Sequence, residues 1–242
     1  MDDHRAVLRS DRAEPRKGDG RLGLTRLFGG KWGVALSATV LLLASPLFAP
    51  QLLAFPYRAE SAIGPVWSER PIDRTALDKV AARSRTLLDK SAIADRDEQR
   101  PIFLTNGGWR WLWLANGSAG GFALTRPITK AVVVNDVDLS ADLISNGAAV
   151  GRERTLSAVL AHEFTHGVIR RRYGLVKSIL APRWLVEGYG DHVAQESSLT
   201  AADVAQLEAS GSTHPALVYY RGRKRVETLL AANGNDVDAL FD

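Results

Sequence analysis

Two histidines and a glutamate lie close together in the segment His162-Glu163-Phe164-Thr165-His166. On an α-helix, residues four positions apart share one face, so the two imidazoles can point at the same metal ion. Glu163 is rotated by about 100° from His162, which places its carboxylate beside such a metal rather than on it. The segment therefore predicts a metal centre with a general base next to it. The alternative is a solvated helix face with two incidental histidines.

A catalytic zinc ion takes three protein ligands and keeps a fourth position open, so a third ligand is needed. Residues 182–191 read Pro-Arg-Trp-Leu-Val-Glu-Gly-Tyr-Gly-Asp and are predicted to form the next helix. Its glutamate, Glu187, is the candidate third ligand. Asp191 lies four residues further on and shares the same helix face. We expect its carboxylate to accept the free ring N–H of His162, which fixes the tautomer of that ligand.

These motifs together resemble the gluzincin clan, the thermolysin-like and aminopeptidase-like zinc peptidases. The shared pattern is H-E-x-x-H followed by the glutamate of W-L-x-E-G, with an acidic residue four positions after that glutamate. The resemblance covers roughly residues 156–234. It implies that His162, His166 and Glu187 bind one Zn²⁺ ion and that Glu163 is the general base acting on zinc-activated water.

The resemblance also implies a side chain that stabilises the oxyanion formed during peptide hydrolysis. In many gluzincins a Tyr or His of a later helix does this, and residues 218–234 resemble that helix. Tyr219 is the first candidate, and Tyr220 and His214 are the alternatives. Packing at a helix start would also explain Tyr219. The chain departs from many clan members at Gly190, where we expect close packing on the motif helix at some cost in helix stability.

A substrate-binding strand is a further expectation, since gluzincins add an extended substrate to an edge strand upstream of the metal helix. Residues 131–135, Ala-Val-Val-Val-Asn, have strand composition and lie upstream. We therefore expect Val133 and Val134 to lie on an open sheet edge that contacts the substrate. A position of Val133 in the middle of the sheet, paired on both sides, would contradict this.

Patterning along the chain predicts an α+β fold, with a small mixed sheet followed by a helical half. Strands are expected from apolar and turn-flanked runs at 101–105, 109–114, 122–125 and 131–135. Helices are expected from apolar spacing and terminal residues at 71–91, 155–173, 182–195, 200–209 and 215–232. The helical half carries both metal-ligand segments.

An uncharged apolar segment, residues 32–55, precedes this domain. About 20 helical residues cross a bilayer core of about 30 Å, so one transmembrane anchor is predicted here, although Pro46 and Pro50 weaken it. The basic residues 1–31 are expected to be a disordered cytoplasmic tail, which leaves the peptidase-like domain, residues 57–242, outside the membrane. The alternative is a cleaved signal sequence and a secreted domain.

Composition narrows the function classes. The chain has no cysteine, which excludes disulfides, cysteine-ligated zinc and a cysteine nucleophile. Residues 1–55 hold eight basic and five acidic side chains, so the remainder is nearly neutral and no nucleic acid partner is expected. The leading hypothesis is zinc-dependent hydrolysis of a peptide or protein substrate. The alternative is a catalytically silent scaffold that binds a protein or cell-envelope partner.

Overall fold

A computed structural model describes residues 30–126 and 129–242. The chain divides into two structural units, Met1–Ala44 and Ser45–Asp242. The second unit contains a seven-stranded mixed sheet and helices that precede, interrupt and follow its strands. The α+β fold class predicted from the sequence is confirmed at this level.

The first helix is shorter than the predicted transmembrane anchor. Helix α1 spans Lys31–Phe48, and a 3₁₀ turn at Pro50–Leu53 follows it. Proline cannot donate a backbone hydrogen bond, so Pro46 in the last turn and the proline of the 3₁₀ turn end the helix before the expected boundary at residue 55. No helix within the described residues has both the length and the apolar character needed to cross a membrane. The predicted tail lies outside the described residues except at its last two positions.

The sheet is built from strands of three to seven residues. They are β1 Tyr57–Ser61, β2 Gly64–Ser68, β3 Ile102–Thr105, β4 Ala123–Thr125, β5 Val132–Asp138, β6 Leu143–Ser145 and β7 Glu153–Thr155. Their order is β1-β2-β3-β5-β6-β7, and β4 pairs with β5 outside this path. The pairs β2–β3 and β3–β5 are parallel, and the other pairs are antiparallel. Both flanks of β5 are therefore occupied.

Strand β5 contradicts the prediction that residues 131–135 form a substrate-binding edge. Val133 pairs with Phe103 of β3 on one side and with Leu124 of β4 on the other, and Val134 is also paired on both sides. Both valines are fully buried. A continuous apolar run is typical of a strand covered on both faces, which the composition alone did not separate from an edge strand. Strand β4 pairs only with β5 among the described strands, so it is an edge strand of the sheet, as β1 and β7 are at its two ends.

The helices of the second unit surround this sheet. They are α2 Arg74–Leu88, α3 Trp109–Ala115, α4 Leu156–Tyr173, α5 Leu175–Leu180, α6 Arg183–Ala194, α7 Ala201–Ala209, α8 Ala216–Ala232 and α9 Asp238–Phe241. The helices predicted from apolar spacing are all present. The strand predicted at 109–114 is wrong, because the segment forms α3. Its buried residues, Trp111, Leu114 and Ala115, have helical spacing, which the alternation of tryptophans obscured.

Helix α4 is the central element of the domain. It packs against α2, α6 and the sheet, and its side chains are buried on nearly all faces from Leu156 to Ile169. Asp142 holds its N-terminus by accepting hydrogen bonds from the backbone N–H and the hydroxyl of Ser157 at 2.8 and 2.7 Å. Such a cap satisfies a backbone donor that has no partner within the helix. These hydrogen bonds therefore fix the start of the helix that carries both motif histidines.

Two glycines let α6 approach both neighbouring helices. A Cβ on Gly190 would lie 2.8 Å from Nδ1 of His162 in α4. A Cβ on Gly188 would lie 2.6 Å from the carbonyl oxygen of Gly222 in α8. Close-packed interiors do not absorb added atoms at such distances, so any larger residue would push the helices apart. The close packing expected at Gly190 is present, and the same turn of α6 also packs against α8.

Candidate metal centre

Three side chains with metal-ligating atoms meet where α4 faces α6: His162, His166 and Glu187. Nε2 of His162 lies 3.1 Å from Nε2 of His166 and 3.2 Å from Oε2 of Glu187. Nε2 of His166 lies 3.6 Å from the same carboxylate oxygen. Donor atoms about 2.0–2.1 Å from a tetrahedral ion are about 3.3 Å apart. The three atoms have the spacing of one face of such a coordination shell, and this cluster could hold a metal ion.

Asp191 orients one of these histidines. Its Oδ1 lies 2.8 Å from Nδ1 of His162, its side chain is fully buried, and Ser197 donates to its Oδ2 at 2.7 Å. With Nδ1–H donated to Asp191, Nε2 of His162 faces the cluster and can offer its lone pair to a metal ion that displaces the second ring proton. Burial alone would raise the pKa of Asp191, but the charge of Arg154 and the hydrogen bond from His162 hold it below its ordinary value. Asp191 is thus kept ionised as an acceptor.

The candidate ligands also influence one another electrostatically. Burial acts to lower the pKa of His162, but the hydrogen bonds and charges of Asp191 and Glu187 outweigh it and raise the pKa to about 10. Burial lowers the pKa of His166, and the neighbouring His162 adds to this effect. Burial acts to raise the pKa of Glu187, but the two histidines lower it overall. The carboxylates therefore favour a positive charge at His162, whereas burial disfavours a proton at His166.

Glu163 lies beside the cluster and does not belong to it. It is 6% exposed and lines the same cleft as the two histidines. Its Oε2 accepts a hydrogen bond from Oγ1 of Thr125 at 2.6 Å. Thr125 is the last residue of β4, so the edge strand orients this carboxylate. The contact between Thr125 and Glu163 was not predicted, because no motif or spacing in the sequence links these two distant residues.

Tyr219 of α8 lines the cleft next to α6. Its ring lies 6.5 Å from the imidazole of His162, and its hydroxyl oxygen accepts a hydrogen bond from Nη2 of Arg183 at 2.8 Å. Burial raises the pKa of Tyr219, so its hydroxyl stays protonated at neutral pH and can donate that proton elsewhere. Of the two alternatives, His214 also lines the cleft, whereas Tyr220 packs against a small apolar cluster.

The cluster opens into a cleft of about 770 Å³. Helices α4, α6 and α8 and strand β4 form its walls. The residues of β4, Ala123, Leu124 and Thr125, line it, whereas Val133 and Val134 lie one strand further in and do not. The strand available to an extended ligand is therefore β4, the neighbour of the strand predicted from the sequence.

Three arginines of the cleft were not identified from the sequence: Arg154, Arg170 and Arg183. Arg170 follows His166 by four residues and Arg183 precedes Glu187 by four, so helical spacing could have indicated both. Arg154 is buried and forms ion pairs with Asp191 and Glu196, and no motif or spacing predicts these contacts.

No protein-family model matches the chain, and neither does any curated protein or any solved structure. The likeness to gluzincins therefore rests on the motif residues quoted above. The chemistry of this cleft must be inferred from the arrangement of four side chains: His162, His166, Glu187 and Glu163.

Proposed function

We propose that this protein is a zinc-dependent peptide hydrolase of the gluzincin type. One observation carries the proposal: donor atoms of His162, His166 and Glu187 converge within 3.6 Å of one another, with the carboxylate of Glu163 beside them in an open cleft. Two imidazoles and one carboxylate are a donor set used by catalytic zinc in peptidases. A carboxylate next to that set is what metal-assisted hydrolysis requires of a base.

Two histidines and one carboxylate can also bind iron in oxygenases, which is a competing assignment of the metal. Adjacent ligands of an octahedral ion at about 2.1 Å are about 3.0 Å apart, compared with about 3.3 Å around a tetrahedral ion. The separations in the cluster, 3.1, 3.2 and 3.6 Å, are compatible with either ion. The feature that favours hydrolysis is Glu163, because an oxygenase has no need of a base at this position.

The proposed reaction assigns a distinct task to each side chain. A zinc ion held by His162, His166 and Glu187 would supply Lewis acidity, which lowers the pKa of water towards about 7 and polarises the substrate carbonyl. Glu163 takes a proton from the attacking water and delivers it to the leaving amine. Thr125 holds one oxygen of that carboxylate and so fixes its direction. The Tyr219 hydroxyl donates a hydrogen bond to the developing oxyanion.

The substrate we propose is an extended peptide placed against β4. Main-chain hydrogen bonds to an open strand edge hold a peptide independently of its sequence. The last residue of that strand, Thr125, contacts Glu163, so a peptide on this edge passes directly over the proposed base. A catalytically silent scaffold has no chemical need for a base beside a metal, so the presence of Glu163 favours an enzyme over the scaffold hypothesis.

Metal removal tests this function. Treatment with a chelator is expected to abolish cleavage of a mixed peptide library by the purified protein, and one equivalent of Zn²⁺ is expected to restore it. Mass spectrometry of the products identifies the cleaved bonds, and elemental analysis gives the metal content. Cleavage that continues in metal-free protein, or zinc-loaded protein that cleaves no peptide in the library, would contradict the proposal.

Replacing Asp191 with asparagine is expected to weaken Zn²⁺ binding about 10- to 100-fold. The amide can present its NH₂ group to Nδ1 of His162, so the ring loses the acceptor that fixes its tautomer. Competition titration with a zinc indicator measures the affinity. Asp78→Asn is a matched control, because Asp78 is exposed on α2. Equal affinities in both variants would remove Asp191 from the metal centre.

A further inference from the structure

Arg170 and Arg183 lie on the same helix faces as the metal-ligating residues. Arg170 lies one helical turn beyond His166 on α4, and Arg183 lies one turn before Glu187 on α6. The two helices run in opposite directions, since His162 contacts Asp191 while His166 contacts Glu187. In this register the next pair of facing positions is residues 170 and 183. Both arginines line the cleft, each one helical turn from a metal ligand.

Neither arginine has a carboxylate within ion-pair distance in the part of the chain that the structure describes. The hydrogen-bond partner of Arg183 is the neutral hydroxyl of Tyr219. Nη2 of Arg170 is buried and has no hydrogen-bond partner among the described residues. Arg154, the third arginine of the cleft, has two acidic partners, although its Nε also has no hydrogen-bond partner among the described residues. Burying a guanidinium nitrogen without a partner is costly unless a ligand supplies one.

Two acidic residues line the cleft, Glu163 and Glu187. The charge of Glu163 acts on Arg170 and that of Glu187 on Arg183, but neither carboxylate forms an ion pair with them, and both have other tasks in the proposed mechanism. A bound zinc ion would add two positive charges to the same cleft. Ser178 and Ile179 of α5 also line the cleft and bring no negative charge. Cation-lined clefts with low-dielectric walls concentrate anions, so the part of the cleft around the two arginines suits a negatively charged group.

We propose that Arg170 and Arg183 form a subsite for a carboxylate group of the peptide substrate. The planar guanidinium fork matches a carboxylate with paired hydrogen bonds, which an amide or a hydroxyl cannot reproduce. Acidic side chains and the free C-terminus of a short peptide carry the same group, and both are substrates of this chemical class. This inference rests on the proposed peptidase function and specifies its substrate.

Peptide binding to the zinc-loaded Glu163→Gln variant tests the subsite without turnover. Peptides are matched in pairs: glutamate against glutamine at each position with an amidated C-terminus, and a free against an amidated C-terminus in otherwise neutral peptides. We expect one acidic position, or the free C-terminus, to strengthen binding about 10- to 100-fold, measured by calorimetry. The pair that gives the difference identifies the source of the carboxylate. Rising salt should reduce the preference.

Substitutions of the two arginines test whether they cause the preference for a carboxylate. Arg183→Gln and Arg170→Gln, each made in the same background, are expected to abolish it, and Arg170→Lys is expected to retain only part of it. Arg96→Gln, on an exposed loop, is the control and should retain it in full. The preference should also persist in metal-free protein, since a carboxylate bound to zinc instead would lose it there.

Two results separate this inference from the proposed function. Equal affinity for every acidic and neutral pair would overturn the carboxylate subsite, even if the wild-type protein cleaves peptides. Failure of the wild-type protein to cleave any peptide, together with an arginine-dependent carboxylate preference, would overturn the peptidase function and leave the subsite in place. A preference that the Arg170→Gln and Arg183→Gln variants retain would place the carboxylate elsewhere.

Discussion

Replacing Glu163 with glutamine is expected to lower kcat for peptide cleavage by about 100- to 10,000-fold while the bound zinc stays near one equivalent. Glutamine has almost the same size and can still accept a hydrogen bond from Thr125, but it cannot take a proton from water. The metal ligands are untouched, because Glu163 does not belong to their cluster. Steady-state kinetics on a fluorogenic peptide, combined with elemental analysis, measure both quantities.

The matched control is Glu153→Gln, which removes an exposed glutamate on β7. Its kcat should equal that of the wild-type protein. If the Glu163→Gln variant keeps its activity with zinc bound, then another group accepts the proton and the assigned mechanism is wrong. If the variant loses zinc as well, Glu163 supports the metal centre and its role as a separate base is not demonstrated by the lost activity.

Replacing Glu187 or His166 with alanine is expected to weaken Zn²⁺ binding on the order of 1000-fold or more. Each change removes one of only three protein ligands. The folded state gains about 4 kcal/mol when free ligand exceeds its Kd about 1000-fold, so zinc should raise the Tm of the wild-type protein clearly and that of the variants little. Thermal unfolding with and without added Zn²⁺ measures this difference.

His192→Ala provides the control for this pair. His192 lies on α6 like Glu187, but it stacks beside Tyr189 outside the metal-ligand cluster. Its removal should leave the zinc-dependent rise in Tm unchanged. A Glu187→Ala variant that binds zinc as tightly as the wild-type protein would exclude the three-ligand site proposed here.

The features predicted correctly from the sequence are those set by spacing within a single helix. The four-residue interval between His162 and His166, and the same interval between Glu187 and Asp191, fix which side chains share a face. The structure brings both faces together, with His162 contacting Asp191 and Glu187. Helical spacing alone therefore predicts which of these side chains can share a metal ion.

The features missed depend on contacts between distant segments. Val133 was expected at a sheet edge, but only the pairing of both neighbouring strands determines whether a strand is central or at the edge. The strand containing Thr125 was predicted, but its contact with Glu163 was not, because that contact depends on how β4 packs against α4. The helix formed by residues 109–115 alternates tryptophan with other residues, so it was mistaken for a strand with a two-residue period.

The glycine contacts of α6 provide a criterion for recognising relatives of this chain. Gly188 touches the backbone of Gly222, and Gly190 touches the ring of His162, so neither helix position has room for a methyl group. A sequence that shares only H-E-x-x-H can arise by chance. A sequence that also keeps E-G-x-G after the second histidine and a small residue at the facing position of the last long helix has the geometry needed to build the whole cluster.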